Sequence, residues 1–117
     1  MNTKNGKLLK ASIDFSVNVI RLHDGMSGLS FLKNQMARAA TSIGANIHEA
    51  NYAESSNDFV HKLKVALKEC HETEYWLQIL IETRPEIKDE AEKLRKEAGG
   101  IRYMLISSIK TKMLSMG

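Results

Sequence analysis

Apolar residues recur along this chain at steps of three and four, in four separate blocks. That is the spacing of one face of an α-helix and not the alternation of a strand. The first block carries two stripes, Leu8/Phe15/Val19/Leu22 and Leu9/Ile13/Val17/Ile20, an apolar arc wider than contact with one neighbour requires. The second places Leu32, Met36, Ile43 and Ile47 on one face, with a polar row, Arg38/Ser42/Asn46/Glu49, beside it. A further face, Ala37/Thr41/Gly44/Ala45, is small throughout and lets another helix come close. The third block runs Phe59, Leu63, Ala66, Cys70, Thr73, Leu77, Leu80, and near its end Tyr75, Trp76, Ile79 and Ile81 make it apolar nearly all round. The fourth follows Ile87, Ala91, Leu94, Ala98, Ile101, Leu105 and Ser108.

The breaks between blocks are short. Gly25-Met-Ser-Gly28 is a turn in which glycine can end one helix at positive φ, with Ser27 and Ser30 competing to cap the next. Ser55 and Asp58 have capping-box spacing after Asn51-Tyr-Ala-Glu54, and Thr83-Arg-Pro-Glu86 repeats it with proline in the first turn. The predicted helices span about 7–24, 29–50, 57–82 and 85–114. Links this short cannot carry the chain back along the molecule, so successive helices run antiparallel. The expected fold is all-α, an up-down-up-down antiparallel four-helix bundle forming one domain over residues 1–117. Gly99-Gly100 falls inside the last helix, where a bend, fraying or a tight helix contact is expected.

A length of 117 residues and 43% hydrophobic content suit one modest core. No run approaches the roughly 18 apolar residues of a membrane span, and Asp14, Asn18, His23 and Asp24 interrupt any signal-like segment. A cytoplasmic location is therefore expected, and the single cysteine, Cys70, which can form no internal disulfide, agrees with that compartment. The surplus apolar area of the first helix and of Tyr75, Trp76 and Ile79 is more than a monomer covers, so self-association is expected.

The net charge is +3, with an acidic middle between two basic ends. Arg84, Lys88, Arg95 and Arg102 recur at four and seven, and Lys110 and Lys112 extend that line where no acid follows Glu97. These six are candidate contacts for a phosphate backbone, against the plainer reading of a solvated helix end whose cations suit the dipole. Asp89 and Glu92 lie close enough to neutralise part of the line.

Catalytic chemistry has little to stand on. Asp58-x-x-His61 is the nearest approach to the Glu-x-x-His pairs of a di-iron bundle, and neither His48, His61 nor His71 has a second histidine three or four residues away. No glycine-rich phosphate loop, HExxH or GxSxG occurs, and no arginine is followed by histidine at four to six residues as in small helical defence ribonucleases. Cys70 lies on an apolar seam and reads as a core thiol. No metal, cofactor or catalytic residue is expected. The polar row Arg38/Ser42/Asn46/Glu49, with Glu69, Glu72 and Glu74 on the third helix, is either solvated or ion-paired between the second and third helices, or holds Asn46 and Glu49 partly buried and hydrogen-bonded, fixing helix register or subunit contacts.

The run Arg38-Ala-Ala-Thr-Ser-Ile-Gly-Ala-Asn-Ile-His-Glu49, then Glu54-Ser55, Asp58-Phe59 and Leu63-x-Val-Ala-Leu-Lys-Glu-Cys-x-Glu-Thr-Glu-Tyr-Trp-Leu77, closely resembles the bacterial 23S rRNA intervening-sequence proteins. The resemblance covers nearly the whole chain and is strongest over residues 35–81; Ala50 departs from it, where many members have glycine. It implies a cytoplasmic bundle that assembles into a ring, commonly a pentamer, with no catalytic residue set. Some members are encoded within intervening sequences of large-subunit rRNA genes. Related bundles serve retroelement reverse transcriptases as accessory subunits and bind nucleic acid through a basic surface. Two functions are therefore expected: a homo-oligomer that binds RNA or a ribonucleoprotein, or a scaffolding ring that binds only protein.

Overall fold

Each apolar block forms a helix because its large residues repeat at helical spacing and its breaks hold the residues that stop one. A computed structural model describes residues 3–116. It contains α1 (Thr3–Gly25), α2 (Ser30–Ala50), α3 (Ser56–Thr83) and α4 (Lys88–Met116), with a 3-10 turn at Pro85–Ile87 leading into α4. The chain is all-α, and no strand occurs among the described residues. Each helix packs on its neighbours in sequence and α1 closes against α4, while among the described residues the backbones of the diagonal pairs stay apart. This is the up-down-up-down bundle, 47 Å long and about 20 Å across.

One core runs the length of the molecule. Phe15 and Val19 from α1, Met36, Ile43 and Ile47 from α2, Leu63, Leu77 and Leu80 from α3, and Leu94, Ile101 and Leu105 from α4 are all buried in it. The predicted seams hold with small shifts. In α3 the buried stripe starts at Val60, with Phe59 half-buried, and in α4 Ile109 takes the place expected for Ser108. Close helix approach uses Gly44, where an added Cβ would stand 3.1 Å from the Ser12 hydroxyl of α1.

Several local expectations are corrected. The first helix begins at Thr3, not near Lys7. Neither Ser27 nor Ser30 caps α2: the cap residue is Leu29, left-handed at φ 50 without a side-chain bond, after Gly28 at φ 75. Gly28, and not Gly25, thus supplies the positive φ. The turn is tied instead by Lys33 Nζ donating to the Met26 carbonyl at 2.9 Å and Arg84 donating to that of Ser27 at 3.2 Å.

Ser55 does cap α3, accepting from the Asp58 N–H at 3.1 Å, and Asp58 closes back on the Glu54 N–H at 3.2 Å. The second capping box fails. Thr83 is the last residue of α3, and its hydroxyl donates to the Ile79 carbonyl at 2.7 Å, so it is unavailable to the next helix.

Gly99 and Gly100 neither break α4 nor sit against a neighbouring helix. A Cβ at Gly99 would meet only the Arg102 guanidinium, at 3.5 Å, and one at Gly100 would meet nothing within 4 Å. Glycine costs a helix interior about 1 kcal/mol relative to alanine, and packing does not require it here.

Candidate nucleic-acid interface

The polar residues singled out in the sequence fall into two grooves that share α3. The first lies between α2 and α3. Arg38 donates to Glu69 at 3.2 Å and to Glu72 at 2.6 Å, and these bonds, led by the one to Glu72, raise the guanidinium pKa. Glu72 also accepts from the Trp76 indole at 3.3 Å. Lower down, Lys62 donates to Glu49 at 3.1 Å. The register reading fails for Glu49, which is exposed, and for half-buried Asn46, whose amide bonds within its own helix to the Ser42 carbonyl at 2.8 Å. Arg38 and Lys62 face Glu49, Glu69 and Glu72, so this seam is closed and slightly acidic.

The second groove lies between α3 and α4. Arg102 donates to Glu74 at 2.9 Å, Arg95 hydrogen-bonds Gln78, and the Cys70 thiol donates to the Ala98 carbonyl at 3.3 Å. Burial, reinforced by Glu74, pushes that thiol up to about 12, so it stays protonated and inert. Outside these contacts opens a groove of about 750 Å3, walled by Glu74 of α3 and by Glu92, Lys93, Arg95, Lys96, Gly99 and Arg102 of α4. Four cations against two acids leave it positive.

The predicted basic line is therefore only partly one surface. Lys88, Arg95 and Arg102 share the α3-facing side of α4. Arg84 precedes the helix, is carried off the row by the 3-10 turn, and is held by Ser27 with Glu86 at 4.0 Å. Lys110 is exposed, while Lys112 is half-buried with its ammonium 5.6 Å from the centre of the Phe59 ring. Lys93, Lys96 and Tyr103 are not singled out by the sevenfold arginine row, and Gly99 stands out in the sequence only as a weak point of the helix. The available signal was Lys96/Gly99/Tyr103 at steps of three and four.

The apolar surplus also divides in two. Ile13, Val17 and Ile20 stand exposed on α1, while the parallel stripe Phe15/Val19 is buried. On the other flank of α2, Phe31 packs edge-on against Trp76, which meets exposed Tyr75 in the same way, beside half-buried Ile79. No cluster of three or more metal-binding side chains occurs among the described residues, and none of the described helices is long and apolar enough to cross a membrane.

A family described as 23S rRNA-intervening sequence protein matches residues 4–107. The chain belongs to it. Among solved structures, a protein of unknown function from the S23 ribosomal protein family of Bacteroides thetaiotaomicron is 38% identical, with a TM-score of 0.84 over 92% of this chain and 99% of the other. No curated protein matches. Membership of the intervening-sequence family fits the four-helix architecture and names no reaction.

Proposed function

We infer that this member of the 23S rRNA-intervening sequence family is a non-enzymatic, homo-oligomeric cytoplasmic bundle that binds RNA or a ribonucleoprotein through the α3–α4 side of α4. The observation that carries this is the contrast in charge: the α2–α3 seam is closed by its own ion pairs, whereas the α3–α4 groove keeps Lys93 and Lys96 exposed beside Arg95. A surplus of fixed cations lining a cleft attracts a polyanion.

Assembly is supported by the two apolar patches flanking α2. They differ in composition and lie on different helices, which suits a head-to-tail contact and hence a ring, a pentamer if this chain follows the resemblance in its sequence. A ring repeats the basic groove once per subunit and multiplies its avidity. Light scattering should give a multiple of 13.2 kDa at micromolar concentration, and the same particle should bind a structured RNA at about 50 mM salt. A monomer that binds no RNA would remove this reading and leave the protein-scaffold alternative.

A further inference from the structure

Gly99 has no packing role, yet it sits in the wall of the basic groove. An added Cβ would touch only a movable arginine side chain, so any helix-forming residue would fit α4 better. Glycine does, however, bring backbone level with the surface, where a ligand can approach closely. Lys96 precedes it by three residues and Tyr103 follows by four, which puts all three on one face of α4 over roughly 10 Å. Tyr103 is 75% exposed. Arg102 and Arg95 stand on the inner side of this face, tied to Glu74 and Gln78. The contacts Cys70–Ala98 and Glu74–Arg102 fix the register of α3 here, and Glu74 is the residue that α3 contributes to the groove wall, the exposed cations Lys93, Arg95 and Lys96 all coming from α4.

We propose that this glycine-floored groove takes a single strand of nucleic acid, with its phosphates over Lys93, Arg95 and Lys96 and a base stacked on Tyr103. The proposal rests on the RNA-binding reading above and narrows it to one site and one form of ligand. The cations supply the backbone attraction and the aromatic ring supplies a platform for any base. An acidic protein segment would match the charge but has no use for a bare, exposed tyrosine beside a backbone-level floor. A duplex keeps its bases paired and stacked within itself, so it offers the Tyr103 ring no free base face.

The test is fluorescence anisotropy of the full chain at 50 mM salt with a labelled 12-nucleotide RNA, a DNA of the same sequence, an RNA duplex and polyglutamate. Both single strands are expected to bind more tightly than the duplex or polyglutamate, and a preference for RNA over DNA identifies the natural source. Tyr103→Ala should weaken single-strand binding on the order of tenfold, and Tyr103→Phe should keep it. Gly99→Gln should weaken it as well while raising the melting temperature by about 3–6 °C, since a glutamine suits the helix but fills the floor.

Salt-dependent binding that survives both Gly99→Gln and Tyr103→Ala would overturn the groove and leave the broader RNA reading standing. Polyglutamate or duplex binding as tight as that of a single strand would overturn the assignment of the ligand. A fall in melting temperature for Gly99→Gln would mean that packing holds the glycine after all, and no binding by the unaltered chain would overturn both readings.

Discussion

The two grooves on either side of α3 are built from the same kinds of residue and end in opposite states. Between α2 and α3, Arg38 spans two glutamates and Lys62 a third, so every cation has an acid and the surface closes. Between α3 and α4, Glu74 engages Arg102 but nothing comparable covers Lys93 or Lys96, and Gly99 leaves the wall low. A polar row on a helix thus says little about its fate until the facing helix is known. Register decides whether the charges cancel or remain available.

Substitutions can break or sharpen this contrast, beginning with the largest effect. Leu77 is fully buried on the stripe of α3 that supports both grooves. Leu77→Ala should cost about 2–5 kcal/mol in chemical denaturation, and a loss below about 1 kcal/mol would contradict a shared core. Next comes alkaline pH. The Cys70 thiol ionises near 9.0 when unfolded and near 12 in the fold, so the folded state keeps a proton that the unfolded state releases. Its contribution is complete below pH 9 and is lost as pH rises towards 12, at up to about 1.4 kcal/mol per unit. The stability of Cys70→Ala should lack that part of the slope; parallel curves for the two chains would show the thiol to be solvated.

A paired comparison sharpens the contrast directly. Glu72→Gln and Glu74→Gln should each cost about 0.5–1 kcal/mol, since both carboxylates are partly exposed. Only Glu74→Gln, which frees Arg102, should strengthen nucleic-acid binding. Equal effects on binding would erase the distinction between the grooves. The smallest effect belongs to the row that looked most specific in the sequence: Asn46→Ala and Glu49→Ala should each stay within about 0.5 kcal/mol in melting curves, because neither side chain supports a buried partner.

Much of the fold was legible because burial follows periodicity. Leu63, Ala66, Cys70, Thr73, Leu77 and Leu80 were all read as one seam, and the Ser55 cap follows from local chemistry alone. The α1–α2 turn is not legible, because positive φ is not a leucine's own preference and the Arg84 bond that ties the turn at Ser27 comes from a residue far along the chain. Thr83 was misread because its hydroxyl has a competing carbonyl one turn back, which spacing cannot reveal. Arg95 and Arg102 stand out in the sequence as cations, but that Glu74 and Gln78 occupy them, and that Lys93, Lys96 and Gly99 line the open part of the groove, depends on how α3 and α4 slide past each other.

The most direct test of the account is the salt dependence of RNA binding in variants of the two grooves. For about three phosphate contacts per subunit, affinity should fall about 20-fold between 50 and 200 mM salt, and Arg95→Gln with Lys96→Gln should reduce the log–log slope by about 1.4 while the oligomer is unchanged. Arg38→Gln with Lys62→Gln in the α2–α3 seam should leave the slope where it was. A slope that responds to the seam pair, or ignores the groove pair, would contradict the assignment of RNA binding to the α3–α4 side.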